Sequence, residues 1–235
     1  MKRKQILFIL FFLSLAGFSQ NGEITYSLLL NNVSDVSYEN DLENELKNTI
    51  VKNKSTIKAK LFFNNEEMKF EIEKSTDLSI NDYENILRIT DNEGIFYKKD
   101  RSNFIYRFIL GNSKYNNVIC ERKFITNWNF FNEKKIIAGY ECLKAQCILG
   151  TDYGDGEIIY SYPVTAWYCP EIKNQYGPKG IGCLPGVILE LNQNLVTFKA
   201  SKINLNPPKK DISIPNEKII KEMDLVKYIQ SPINN

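Results

Sequence analysis

A two-residue rhythm constrains this chain more than any other feature. Ile57, Ala59, Leu61 and Phe63 alternate with Lys58, Lys60 and Phe62, and beyond Asn64-Asn65, Met68, Phe70 and Ile72 alternate with Lys69, Glu71 and Glu73. Successive side chains of a strand point to opposite faces, so the pattern predicts strands with one buried face, paired through an Asn-rich turn. Phe104, Tyr106, Phe108 and Leu110 line one face of another strand, with Arg107 on the other. Residues 23–30, 116–124, 128–137, 141–149, 157–168, 187–191 and 195–203 continue the series, and Asp91-Asn92-Glu93-Gly94 begins a turn region. Roughly ten to twelve strands with short connections predict a mainly β fold, a strongly curved and mostly antiparallel sheet of open or half-barrel, bowl-like form.

Two segments carry a helical period instead. Leu42, Leu46 and Ile50 recur every fourth residue in 41–53, and Ile219, Ile220, Met223 and Val226 mark 215–229 as a C-terminal helical tail. These short amphipathic helices are expected to cover the concave side of the sheet or one of its edges.

The first residues read as a targeting segment. Lys2, Arg3 and Lys4 precede an almost continuous apolar run, Ile6 to Leu15, and Gly17-Phe18-Ser19 supplies small residues before Gln20. That is the pattern of a secretory signal peptide over 1–19, and its apolar core is shorter than the ~20 residues that span a bilayer. The expectation is an exported protein, periplasmic or secreted, with a single β-rich domain over 20–235 and no transmembrane segment after cleavage.

Charge and composition exclude several classes. Without the three basic residues of the leader, the 30 Lys+Arg and 28 Asp+Glu become 27 against 28. A near-neutral chain has no general electrostatic reason to bind nucleic acid or anionic membrane. Histidine is absent, which removes Ser-His-Asp and Cys-His catalysis, His-ligated zinc and the usual general base near neutral pH. A carboxylate pair of the glycosidase type stays open on content, but no spacing points to one.

Gly177 to Leu191, GPKGIGCLPGVILEL, is the densest stretch. It lacks the G-x-x-x-x-G-K-[ST] order of a phosphate loop and leads into a strand, so no helix N-terminus follows to receive an anion. Pro178 and Pro185 fix φ and the glycines open conformations closed to other residues, which predicts a stiff corner at Leu184-Pro185-Gly186. Asp152, Asp155 and Glu157 gather carboxylates without the EF-hand spacing, and a hairpin turn is the preferred reading over calcium. The 14 Phe, 13 Tyr and 2 Trp fill a core by default.

Five cysteines in an exported chain suggest disulfides with a thiol left over. Cys142 and Cys147, five apart on one strand, point to opposite faces and are too distant to bridge. Cys169 and Cys183 flank the Pro/Gly-rich connection and form the candidate pair. Zinc is disfavoured by the absence of both histidine and a C-x-x-C spacing.

Ala166-Trp167-Tyr168-Cys169-Pro170-Glu171-Ile172, Gly177-Pro178 and Cys183-Leu184-Pro185-Gly186-Val187-Ile188-Leu189-Glu190-Leu191 together resemble the GLPGLI family, exported proteins of Bacteroidetes named for that motif. Ile137 to Ala145 is similar to the strand that precedes it. The family motif falls on Ala166, Trp167, Tyr168, Pro170, Gly177, Pro178, Leu184, Pro185, Gly186 and Ile188. Cys183 stands where the family has its first motif Gly and Cys169 where it has Thr, and a bridge between them would explain both departures. Val187 replaces a Leu, and a Gly-Arg before the Ala-Trp strand is missing. The resemblance implies no activity and no catalytic residue. It does imply a bowl-shaped β domain of the kind found at the N-terminus of certain bacterial N-glycanases. The expected function is therefore non-catalytic binding or assembly at the cell envelope, with an apolar ligand, a peptide or an outer-membrane protein as partner, and with neither cofactor nor metal. A carboxylate-based hydrolase and a purely structural accessory domain are the alternatives.

Overall fold

The computed structural model describes residues 21–31, 48–49, 52–53, 57–90, 94–99, 104–108, 118–125, 127–152, 158–193, 196–221 and 224. Twelve strands form one sheet: β1 (Gly22–Leu30), β2 (Lys58–Phe63), β3 (Glu67–Glu73), β4 (Ile95–Lys99), β5 (Phe104–Phe108), β6 (Val118–Ile125), β7 (Asn129–Ile137), β8 (Tyr140–Asp152), β9 (Ile158–Cys169), β10 (Val187–Gln193), β11 (Val196–Asn204) and β12 (Lys218–Lys221). Their order is β12-β6-β5-β4-β3-β2-β1-β11-β10-β9-β8-β7. Every pairing is antiparallel except β12 with β6. The mainly β, open-sheet expectation holds.

The sheet is curled. The long β8 pairs with β7 from Tyr140 to Gln146 and, further along the same edge, meets β6 through Gly150, Thr151 and Asp152. That second ladder brings the two halves of the sheet together at one end and leaves the rest unclosed.

The two-residue rhythm places the core on the enclosed face. Ile24, Tyr26 and Leu28 of β1, Ala59, Leu61 and Phe63 of β2, Met68, Phe70 and Ile72 of β3, and Phe198 of β11 are all buried. Phe70 sits among Tyr26, Phe96 and Phe198, with ring centroids 6.2, 6.5 and 5.5 Å away. Edge-to-face aromatic packing of this kind adds to what area burial alone contributes. The outer face carries ion pairs across neighbouring strands, such as Lys60 with Glu23 and Glu73 at 3.5 and 2.9 Å.

Among the described residues one helix is complete, α1 (Ile80–Ile89), which the strand-dominated reading misses. Ser79 caps it, accepting a hydrogen bond from the Asp82 amide at 3.0 Å, and Ile86 anchors it in the core. Of the expected helix at 41–53, residues 48–49 and 52–53 are helical and the rest lie outside the described residues. The expected tail helix from about 215 is corrected in part: Lys218–Lys221 is a strand, with Ile219 and Ile220 opposite Ile119 and Cys120. An unpaired sheet edge satisfies backbone groups over that stretch, which overrides its helical period. Residues 1–20 and the turn 153–157, with Asp155 and Glu157 of the expected carboxylate cluster, lie outside the described residues, while Asp152 ends β8.

The β7–β8 hairpin turns through Ala138 and Gly139, both at positive φ (49° and 89°). This is the two-residue turn whose twist matches that of the flanking strands.

Candidate functional site

The GPKGIGCLPG stretch does more than turn a corner: it enters the enclosed side of the sheet. Its base is pinched by backbone bonds, Ile172 amide to Cys169 carbonyl at 3.3 Å and Val187 amide to Ile172 carbonyl at 3.1 Å. A second level follows, from Cys183 to Gln175 at 3.1 Å and from Ile188 to Tyr176 at 2.9 Å. Between these levels Pro178–Gly180 forms a 3-10 turn that packs against β3 and β4. Proline at the start of this turn has its fixed φ where the turn needs it.

Four side-chain contacts tie the loop to distant parts of the chain, one made by the loop's own lysine. Lys179, at φ 57° and 1% exposed, donates from Nζ to the Thr90 carbonyl at 3.2 Å. Thr90 is the C-cap of α1, where a cation complements the helix dipole. Trp128 donates from Nε1 to the Gly182 carbonyl at 2.9 Å, and Tyr26 from its hydroxyl to the Ile188 carbonyl at 2.7 Å. Lys98, on the inner face of β4 and 3% exposed, places Nζ 3.6 Å from Cys183 Sγ. Cys183 itself lies at φ 65°, a conformation that glycine adopts most readily.

The motif residues divide between the two faces. Ala166, Leu184 and Ile188 are fully buried, and Gly177, Pro178 and Gly186 are buried with them. A Cβ on Gly186 would lie 2.1 Å from the Cys169 carbonyl oxygen, so close backbone approach requires glycine there. Pro170 and Pro185 are exposed. Tyr168 faces inward near the rim, edge-on to Phe130 at 6.2 Å. Trp167 faces outward instead, under the Lys135 ammonium at 5.2 Å. Lys135 in turn pairs with Glu190 at 2.6 Å, and Lys199 reaches the same carboxylate at 3.6 Å. Trp167 and the loop therefore do not form one site.

The expected Cys169–Cys183 bridge is absent. No disulfide joins any of the five cysteines, and the two thiols have different neighbours: Cys183 lies by Lys98, while Cys169 lies by Cys142. The β8–β9 ladder runs outward to Leu143 opposite Tyr168, so Cys142 and Cys169 are the next facing residues. Their mutual interaction holds the Cys169 thiol below its ordinary range, helped by the Ile172 and Glu171 backbone, and together with burial it pushes the Cys142 thiol up. Cys142 and Cys147 both lie on β8, an odd number of residues apart, and do not meet.

The carboxylates of Asp82 and Asp211 meet a cation or a hydroxyl rather than each other. Partial burial raises Asp82, but the Ser79 hydroxyl and the Lys52 ammonium at 3.5 Å outweigh it and leave it lowered. The Ser213 hydroxyl and amide lower Asp211. Both shifts run opposite to what a general acid needs. Among the described residues no group of three or more Cys, Asp or Glu is placed to hold a metal ion. On the surface a cleft of about 170 Å³ lies between Phe62, Phe63, Pro207, Pro208 and Lys210. Small-molecule sites are larger, about 300–1,000 Å³. No described helix is long and apolar enough to cross a membrane.

No family model matches the chain, and no curated protein does. Among solved structures it is similar to PNGF-II, solved in space group C2, at 14% identity and a TM-score of 0.54 over 90% of this chain. The chain spans about a third of that protein, 33% of its length. At this identity the likeness is one of fold.

Proposed function

We propose that this chain is an exported, non-catalytic module of GLPGLI type that docks a protein partner at the cell envelope through the exposed β7–β8 hairpin. One observation carries the reading: the enclosed face, where a bowl would hold an apolar ligand, is packed with Tyr26, Phe70, Phe96 and Phe198 and entered by the chain's own motif loop. Ligand binding thus gives way to surface binding. Phe130, Ile136 and Ile148 on β7 and β8 are 59%, 66% and 61% exposed, and β7 is an edge strand with one side unpaired. Apolar side chains beside an open edge are what strand-on-strand docking uses. The fold likeness to part of a longer protein is consistent with a module that works beside other domains.

The test is a photo-reactive amino acid placed at Ile136 or, as a control, at Ile80 on α1, in cells that express the full chain. A discrete heavier adduct from Ile136 but not Ile80 supports the reading. Equal labelling, or none, rejects it. Native mass spectra of the purified chain should show the bare mass. A small molecule that leaves on mild denaturation would restore the ligand-binding alternative.

A further inference from the structure

Cys142 and Cys169 lie one residue beyond Leu143 and Tyr168, the outermost facing pair of the β8–β9 ladder at this end. Both are 0% exposed, and each thiol perturbs the other as its near neighbour. Cys169 also opens the β9–β10 ladder opposite Val187, and its carbonyl accepts from the Ile172 amide at the pinched base of the motif loop. The pair therefore sits where three strands and the loop converge. Directly facing residues of antiparallel strands have Cα atoms about 4.5–5.5 Å apart, inside the window a disulfide spans.

We infer that Cys142 and Cys169 are a built disulfide site, a cross-strand bridge that ties β8 to β9 at the root of the motif loop. The chemistry is a two-electron oxidation by a disulfide-bearing oxidant, such as glutathione disulfide or another protein's disulfide. The Cys169 thiolate attacks one sulfur of that disulfide, displaces the other as a thiol and forms a mixed disulfide. Cys142 then loses its proton and attacks Cys169 Sγ, closing the bridge and releasing the second thiol. Two S–H bonds are lost, one S–S bond is gained, and two electrons and two protons end on the oxidant. Burial gives the step an order: the oxidant reaches these thiols before the segment after Pro170 folds across them, so the bridge belongs to folding. Cys183 is no competitor, since its thiol is at Lys98 on the inner face.

The test refolds the reduced, denatured full chain in a buffer of glutathione and its disulfide. Free thiols are then alkylated and peptides mapped without reduction. The expected result is one cross-link, between the peptides of Cys142 and Cys169, with Cys183 alkylated. The bridged form should melt about 10 °C above the reduced one, as the entropy of closing a loop of this length implies. Cys183→Ser should keep the cross-link and the rise, and Cys169→Ser should lose both. A cross-link from Cys169 to Cys183, or alkylation of both Cys142 and Cys169 after refolding, overturns the inference. Peptide mapping of the wild-type chain decides the question even if a variant fails to fold.

Discussion

Lys179 and Thr90 are joined across 89 residues of sequence, ammonium to carbonyl at 3.2 Å, in a fully buried contact between the motif loop and the end of α1. A buried ammonium keeps its charge only where acceptors meet it, and a helix C-terminus offers carbonyls without intrahelical partners. The contact explains why a lysine is found inside a bowl of aromatic residues. It also makes the loop and the helix one unit.

Lys179→Met keeps the stem and removes the charge, leaving the Thr90 carbonyl without this donor. Stability should fall by about 1–3 kcal/mol in urea unfolding. Amide protons of the last α1 turn should exchange faster than in the wild type. Lys179→Gly relieves the left-handed backbone yet gives up the same contact, so it too should be less stable than wild type. A variant as stable as wild type would show that the contact contributes nothing net.

Trp128 tests the second tether. Trp128→Phe keeps a ring in place and deletes the Nε1–H donor to the Gly182 carbonyl together with part of the indole that packs on the core. One such bond is worth about 1 kcal/mol, a fall of about 2–4 °C in the thermal midpoint of a chain this size. An unchanged midpoint means that solvent replaces the indole.

Gly186→Ala tests the loop's root. The added methyl would meet the Cys169 carbonyl, which is itself held by the Ile172 amide, so neither side can yield cheaply. The expected loss is about 3 kcal/mol or more, read from the urea midpoint. Gly139→Ala is the contrast. Nothing lies within 4 Å of its Cβ position, so only the cost of placing Ala at φ 89° applies there, about 1–2 kcal/mol.

Much of this architecture is legible in the alternation of residues, because a strand with one buried face must show it. β2 and β3 follow directly from Ile57 to Glu73. β4 does not, since Lys98 points into the core where the rhythm calls for an apolar residue, and its partner, Cys183, is 85 residues away. The α1 cap was readable as Ser79 with Asp82 three positions on, but the ten-residue helix is bracketed by strands that dominate the pattern. At 218–221 the chain's own period favours helix and the open edge of β6 prevails. The corner at Gly177 to Gly186 is visible in its glycines and prolines. Its destination is not, because the contacts with Thr90, Trp128 and Tyr26 are all non-local. The cysteine pair turns on strand register, and register follows from the whole sheet rather than from the spacing of two residues.

Tyr97 gives the alkaline limb of stability. Burial lifts its phenol from the ordinary 10.0 to about 12, and the nearby Glu71 and Asp211 carboxylates add to the rise. In the unfolded chain the phenol ionises near 10, while the folded chain holds the proton until about 12. The folded state therefore binds more protons across that interval, and stability falls as pH rises through it. The full shift corresponds to at most about 3 kcal/mol, present below pH 10 and gone above pH 12. Urea midpoints at pH 8, 10, 11 and 12 should drop progressively in the wild type and less steeply in Tyr97→Phe. The limb will not vanish in the variant, because burial also raises Tyr26, with Cys142 adding. Equal slopes for the two proteins would mean that the Tyr97 hydroxyl reaches water in the folded chain. In that case the 207–212 segment, which carries Asp211 and sets Lys210 over Phe62 at 3.6 Å, does not seal the outer face of β2 and β4.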